Sequence, residues 1–193
     1  TVHSDGMRND LPGSLPAPEL SRMLTLNALN KTVRYYKQRN LKAAGKALLA
    51  FSEAHPHLFA GINLDADLYL SPFVEGRWHD FNPDTLDQFR QWLAGQGLYS
   101  DEGALASYRE QSLTLQQVNR ISDKGFATWQ AVDPPRVAPL QFLPSVDADP
   151  WMHLWERFRR HLVDLHYDDL SRWLIEVGIP ANKIFSSQAF IEP

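Results

Sequence analysis

Apolar residues run almost without interruption from Phe59 to Leu64, then give way to two acids, Asp65 and Asp67, an aromatic, Tyr69, and the turn Ser71-Pro72. An apolar run of this length bounded by breakers predicts a short buried strand. A strand that ends in carboxylates is what an α/β fold shows where its site sits at the strand's carboxyl end. The plainer reading is an Asp-rich turn that caps the next element. Upstream, Asn30 is a fair N-cap, and Val33, Tyr36, Leu41, Ala44, Leu48 and Phe51 recur near helical spacing. They predict a helix that stops at Ala54-His55-Pro56, because a residue before proline is steered away from helical backbone. Lys31, Arg34, Lys37, Arg39, Lys42 and Lys46 fill much of the other face, which reads as solvated surface.

Downstream the pattern becomes helical. Asn82 followed by Pro83, with Asp84 and Asp87 in the opening turns, predicts a helix start; Leu86, Phe89 and Leu93 form its apolar stripe with Trp92 beside them. Gly95 and Gly97 end it. Short helices are expected over 18–24, from Glu102 to Gln111 and from Leu115 to Ser122. Asp123 to Pro150 is rich in proline and aromatics, which predicts a long ordered loop or lid. A long helix follows from Trp151 to Val177, with Leu154, Trp155, Phe158, Leu162, Leu165, Leu170, Leu174 and Val177 as its buried set. Gly178 suits the C′ position and Pro180 blocks continuation. Lys183 to Gln188 reads as a further short strand ending in polar groups.

With a first strand ending at His3 and Asp5, the order becomes strand, helix, strand, insertion, helix, strand. A strand, a helix and a strand at this spacing imply parallel strands with a right-handed crossover. The expectation is therefore an α/β fold in one domain over 1–193, with 71–150 inserted on the face where the strands end. His3 and Asp5, Asp65 and Asp67, and Gln188 would then share that face.

Composition narrows the function classes. A net charge of −4 lacks the basic clustering that nucleic acid requires. No apolar run approaches the roughly 20 residues of a bilayer span, so no membrane segment is expected. Without cysteine there is no disulfide, thiolate metal site or thiol nucleophile. Compartment stays open, since such a chain tolerates either redox environment. The aromatic content suits a core and equally a sugar-stacking cleft. The abrupt start at Thr1 and end at Pro193 read as a fragment of a longer protein.

Among chemistries, paired carboxylates at a strand end suit acid–base work, because an ionised neighbour or burial keeps one of them protonated near neutral pH. Asp65 and Asp67 lie two apart and would share one side of an extended strand, so they are not expected to flank a sugar as acid and nucleophile. His3, Asp5, Asp65 and Asp67 have no tight metal-ligand spacing. His153, His161 and His166 do not share one helix face and read as surface or hydrogen-bonded histidines, so no metal or cofactor is expected. Ser186-Ser187 lies in no nucleophile elbow, and no glycine-rich loop opens a helix. Asn30-Lys31-Thr32 matches a glycosylation sequon, a pattern common by chance.

The segments HPHLFAGINLDADLYLSPF, WHDFNPDTLDQFRQWL and WERFRRHLVDLHYDDLSRWLIEVGIPANKIFSSQ, in that order and spacing, resemble the middle of β-galactosidase-type (clan A) (β/α)8-barrel glycoside hydrolases. The resemblance covers most of residues 45–188. It implies a partial TIM barrel, about strands three to five, with a long helical insertion after the fourth strand. It also implies retaining hydrolysis of O-glycosidic bonds by two carboxylates. Where that family has an Asn-Glu pair, this chain has Asp65-Ala66-Asp67. Asp67 is then the first candidate for the acid/base and Asp65 the second. His3, Asp5, Asn63, Tyr69, Trp78 and Gln188 become candidate contacts to a carbohydrate substrate. The family's nucleophile lies on a seventh strand, beyond this chain, so the chain alone is expected to be inactive. A non-catalytic carbohydrate-binding or structural relative is the alternative, and a complete small α/β domain for another small molecule is a third reading. Oligomeric state is left unspecified.

Overall fold

A computed structural model describes residues 29–64, 73–74, 77–78, 81–96, 111–136 and 148–186. In chain order these form α1 (Lys31–Ala54), β1 (Ile62–Leu64), β2 (Phe73–Val74), β3 (Arg77–Trp78), α2 (Pro83–Leu93), α3 (Leu115–Ser122), a 3-10 turn (Trp129–Ala131), α4 (Pro150–Glu176), a second 3-10 turn (Ala181–Lys183) and β4 (Ile184–Ser186). β1 and β4 pair in parallel, and β2 and β3 pair antiparallel. The chain divides into two compact units, Thr1–Asn27 with Leu70–His161, and Ala28–Tyr69 with Leu162–Pro193.

The expectation of an α/β fold built as a partial (β/α)8 barrel is overturned. The described residues are mostly helical, and their only parallel strands are β1 and β4, each three residues long. A barrel requires a closed ring of strands with consistent tilt and stagger. A single parallel pair, β1 with β4, forms without any such ring. The strand expected to end at His3 and Asp5, and the helices over 18–24 and 102–111, lie outside the described residues apart from Gln111, which is not helical.

In the unit that holds Ala28–Tyr69, local chemistry fixes the helix ends. Asn30 Oδ1 accepts from the backbone N–H groups of Thr32 and Val33, two of the donors a helix start leaves unsatisfied. At the far end of α4, Gly178 adopts φ +103°. The N–H of Ile179 donates to Leu174 O at 3.1 Å and that of Gly178 to Ile175 O at 2.9 Å, the paired bonds of a Schellman stop. Leu64, Leu170, Trp173, Leu174 and Ile179 form the core here, with Leu41, Leu49, Ile62, Tyr167, Val177 and Ile184 packed against it. Gly45 lets α1 approach α4 closely, because a Cβ there would meet Val177 Cγ2 at 2.8 Å and Leu174 Cδ2 at 3.0 Å.

The packed face of α1 differs from the predicted stripe. Arg34 and Gly45 are its buried residues, with Leu41 and Leu49 half-buried. Tyr36, Leu48 and Phe51 are exposed. The basic run is likewise not one solvated surface. Arg34 is buried against Asp169, and Lys42 pairs with Glu176.

In the other unit, α2 begins as its sequence requires: Asn82 Oδ1 accepts from Thr85 N at 3.0 Å, and Pro83 takes the first turn. Gly95 follows the helix at φ +79°, a conformation that strains residues with a Cβ. α3 opens with a reciprocal capping box between Thr114 and Gln117. The loop after it is clamped by Asn119, whose side-chain amide both donates to and accepts from the backbone of Phe126. Arg90 Nε donates to Val132 O at 2.9 Å and so ties α2 to that loop. Asp149 Oδ1 accepts from Met152 N and caps α4. The core is aromatic: Phe89 lies 5.0 Å from Trp155, 5.2 Å from Phe158 and 5.4 Å from Trp151 between ring centroids, and Phe81 stacks on Trp155 at 5.5 Å.

Candidate functional site

β1 and β4 define the place where the sequence set its site. The register pairs Ile62 with Ile184, Asn63 with Phe185 and Leu64 with Ser186. Gly61 is needed at the entry to β1, since a Cβ there would lie 2.5 Å from Phe185 Cε2 and 2.8 Å from Lys183 O. Lys183 Nζ donates to Ala60 O at 3.2 Å beside it. The chain thus leaves the pair at two neighbouring points, Leu64 and Ser186. In sequence these lead into Asp65-Ala66-Asp67 and Ser187-Gln188.

Of the candidate site residues, Asn63 is placed in β1 and is exposed. The backbone of Trp78 pairs with Phe73. His3, Asp5, Asp65, Asp67, Tyr69 and Gln188 lie outside the described residues. Among the described residues no group of three His, Asp or Glu side chains is arranged to hold a metal ion. No described helix is long and apolar enough to cross a membrane.

The helices that precede the two strands are tied to each other by a charged cluster. Arg34 on α1 reaches Asp169 on α4 with both arms of its guanidinium: Nε donates to Oδ2 at 2.6 Å and Nη2 to Oδ1 at 2.9 Å. Arg172 Nη2 adds a third bond to Asp169 Oδ1 at 2.7 Å. Both Arg34 and Asp169 side chains are almost fully buried, and the guanidinium lies 5.5 Å from the Trp173 ring centroid. Asp169 is therefore an acceptor with both oxygens engaged by guanidinium groups, which suits a clamp.

One helical turn along, Lys37 Nζ lies 3.1 Å from Nδ1 of the buried His166. An ammonium only donates, which makes Nδ1 the acceptor in this contact. Of the other two helix histidines, His161 is buried with its ring 6.3 Å from that of Trp92, and His153 is half-buried. The sequence reading missed Arg34, Lys37 and Asp169 as an interior cluster. Its one trace is the acid and base spacing on α4, where Asp168, Asp169, Arg172 and Glu176 recur at three and four residues.

The outer end of the cluster is wetter. Glu176 accepts from Lys42 Nζ at 2.6 Å and from Arg172 Nη1 at 3.3 Å. The Lys42 hydrogen bond lowers its pKa below the ordinary value, burial opposes this, and the Lys42 and Arg172 charges add to the lowering. A carboxyl with a depressed folded pKa contributes stability above its unfolded pKa and loses it as pH falls through the folded one. Glu176→Gln is thus expected to cost up to about 1 kcal/mol near neutral pH, discounted because the side chain is 40% exposed. That difference should be full above the ordinary Glu range and disappear as pH falls through the lowered folded pKa. Urea unfolding of both proteins from neutral to acid checks it, and a gap that persists in acid refutes the ion-pair account.

The chain matches no protein family, no curated protein and no solved structure.

Proposed function

We propose that the chain carries the acid/base half of a retaining glycoside hydrolase, with Asp67 as the proton donor and Asp65 as its neighbour. The observation that supports this most is the parallel register of β1 and β4, which brings the chain to two adjacent exits, one leading straight into Asp65-Ala66-Asp67. Sites of parallel strands lie beyond their carboxyl ends. The clamp of Arg34 on Asp169 supports the reading indirectly, by fixing the helices that deliver those strands.

The chemistry asks for a carboxylic acid to protonate the glycosidic oxygen as the bond to the anomeric carbon breaks, then for the resulting carboxylate to take a proton from attacking water. The nucleophile must stand across the sugar ring, roughly 5 Å from that acid. Asp65 and Asp67 are too close in sequence to supply both, so the second carboxylate comes from another segment. Asn63, Tyr69 and Trp78 are the proposed sugar contacts nearest in sequence, with His3, Asp5 and Gln188.

The test is hydrolysis of a panel of aryl glycosides by protein expressed from the full reading frame. Asp67→Asn is expected to lower kcat about 100-fold or more with little change in KM, and activated leaving groups should suffer least because they need no proton. Asp65→Asn should cost less. Wild-type rates in both variants, or no hydrolysis across the panel, would overturn the assignment.

A further inference from the structure

α1 has a second face that the described residues of its own unit leave open. Tyr36, Asn40, Ala43, Ala47, Ala50 and Ala54 are all exposed, and they follow one another at intervals of four, three, four, three and four residues. That alternation is the 3.5-residue period of a coiled-coil seam. Tyr36 is 48% exposed; Phe51, beside the seam, is 43% exposed and Leu48 37%. The opposite flank carries Arg39, Lys46 and Glu53 at seven-residue intervals. Arg39 is held against the seam, with Nε and Nη2 donating to Asn40 Oδ1 at 3.2 Å and its guanidinium 4.8 Å from the Tyr36 ring centroid. Glu53 forms no ion pair among the described residues.

We propose that this face binds the same face of a second copy of the chain, with the two α1 helices antiparallel about a two-fold axis at Gly45. The axis sets Tyr36 opposite Ala54, Asn40 opposite Ala50 and Ala43 opposite Ala47, so each bulky seam residue meets a small one. The flank then pairs by charge: Arg39 of each copy meets Glu53 of the other, twice per dimer. A parallel pair lacks both properties, since it stacks Tyr36 on Tyr36 and sets Arg39 beside Ala44 and Lys46 beside Phe51. Lys46 meets its own copy near the axis, the one unfavourable pairing, and its long stem carries the ammonium out to water. Charge complementarity therefore selects both the partner and the direction. The proposal does not depend on the glycosidase reading.

Sedimentation equilibrium on the full chain tests it. A reversible monomer–dimer equilibrium is expected. Arg39→Glu and Glu53→Arg should each weaken it about tenfold, by replacing two attractive pairs with two repulsive ones. The double exchange should return it to within about threefold of the original. Ala43→Lys, on the seam and far from any charge partner, should abolish association in every background. These positions are exposed, so circular dichroism of each variant should match the parent. A chain that stays monomeric, that associates only with some other molecule, or whose double exchange is no better than the singles overturns the proposal.

Discussion

Arg34→Met is expected to destabilise the unit around α1 by about 3–5 kcal/mol, near the lower end, because it strips a buried carboxylate of its bidentate partner. Asp169 would keep the Arg172 bond at 2.7 Å, with its side chain only 4% exposed. The cost comes from the charge left behind and not from the worth of the pair, since burying two ions already consumes most of their mutual attraction. The double replacement Arg34→Met with Asp169→Leu should therefore recover most of the loss. Arg34→Lys should stay destabilising, because an ammonium lacks the planar fork that engages both oxygens. Urea unfolding of the parent, the single variants Arg34→Met and Asp169→Leu, and the double variant gives the coupling directly. Additive effects, or a single mutant within about 0.5 kcal/mol of the parent, would show that the cluster is solvated and not a clamp.

This cluster also marks where sequence reasoning stopped. The helix limits were legible, because caps are local: Asn30, Asn82 with Pro83, Leu115 to Ser122 and Gly178 all stand where turn and cap chemistry set them. The two short strands were legible too, as apolar runs between breakers. What they join was not. Periodicity says which residues alternate, but a ring of strands depends on pairings far apart in sequence, and here the visible parallel pairing is the single one between β1 and β4. The face of α1 was misread for a related reason. A hydrophobic pattern locates the buried side only when the buried residues are apolar, and this helix packs through an arginine and a glycine while leaving Tyr36 and Phe51 outside. Of the candidate site, Asn63 and the backbone of Trp78 are placed, so the position of the strand ends is known and the acids that follow are reached only through sequence.

The second large effect belongs to the aromatic core. Phe89→Ala is expected to cost about 3–5 kcal/mol, the range for deleting a buried phenyl ring from a site that cannot fully collapse. Phe89 is fully buried and its ring meets four others, Trp92, Trp151, Trp155 and Phe158, which come from two different helices. Large rigid rings close a cavity poorly, since each has few rotamers and its edges are already engaged. Phe89→Leu should lose less, because it refills much of the volume. The readout is built in: three of the neighbours are tryptophans, so emission should shift to the red at a lower denaturant concentration than in the parent. Phe185→Ala, on a ring 54% exposed, should change stability by less than about 0.5 kcal/mol and serves as the control. If the two alanine variants unfolded at the same denaturant concentration, the aromatic cluster could not be what holds α2 against α4.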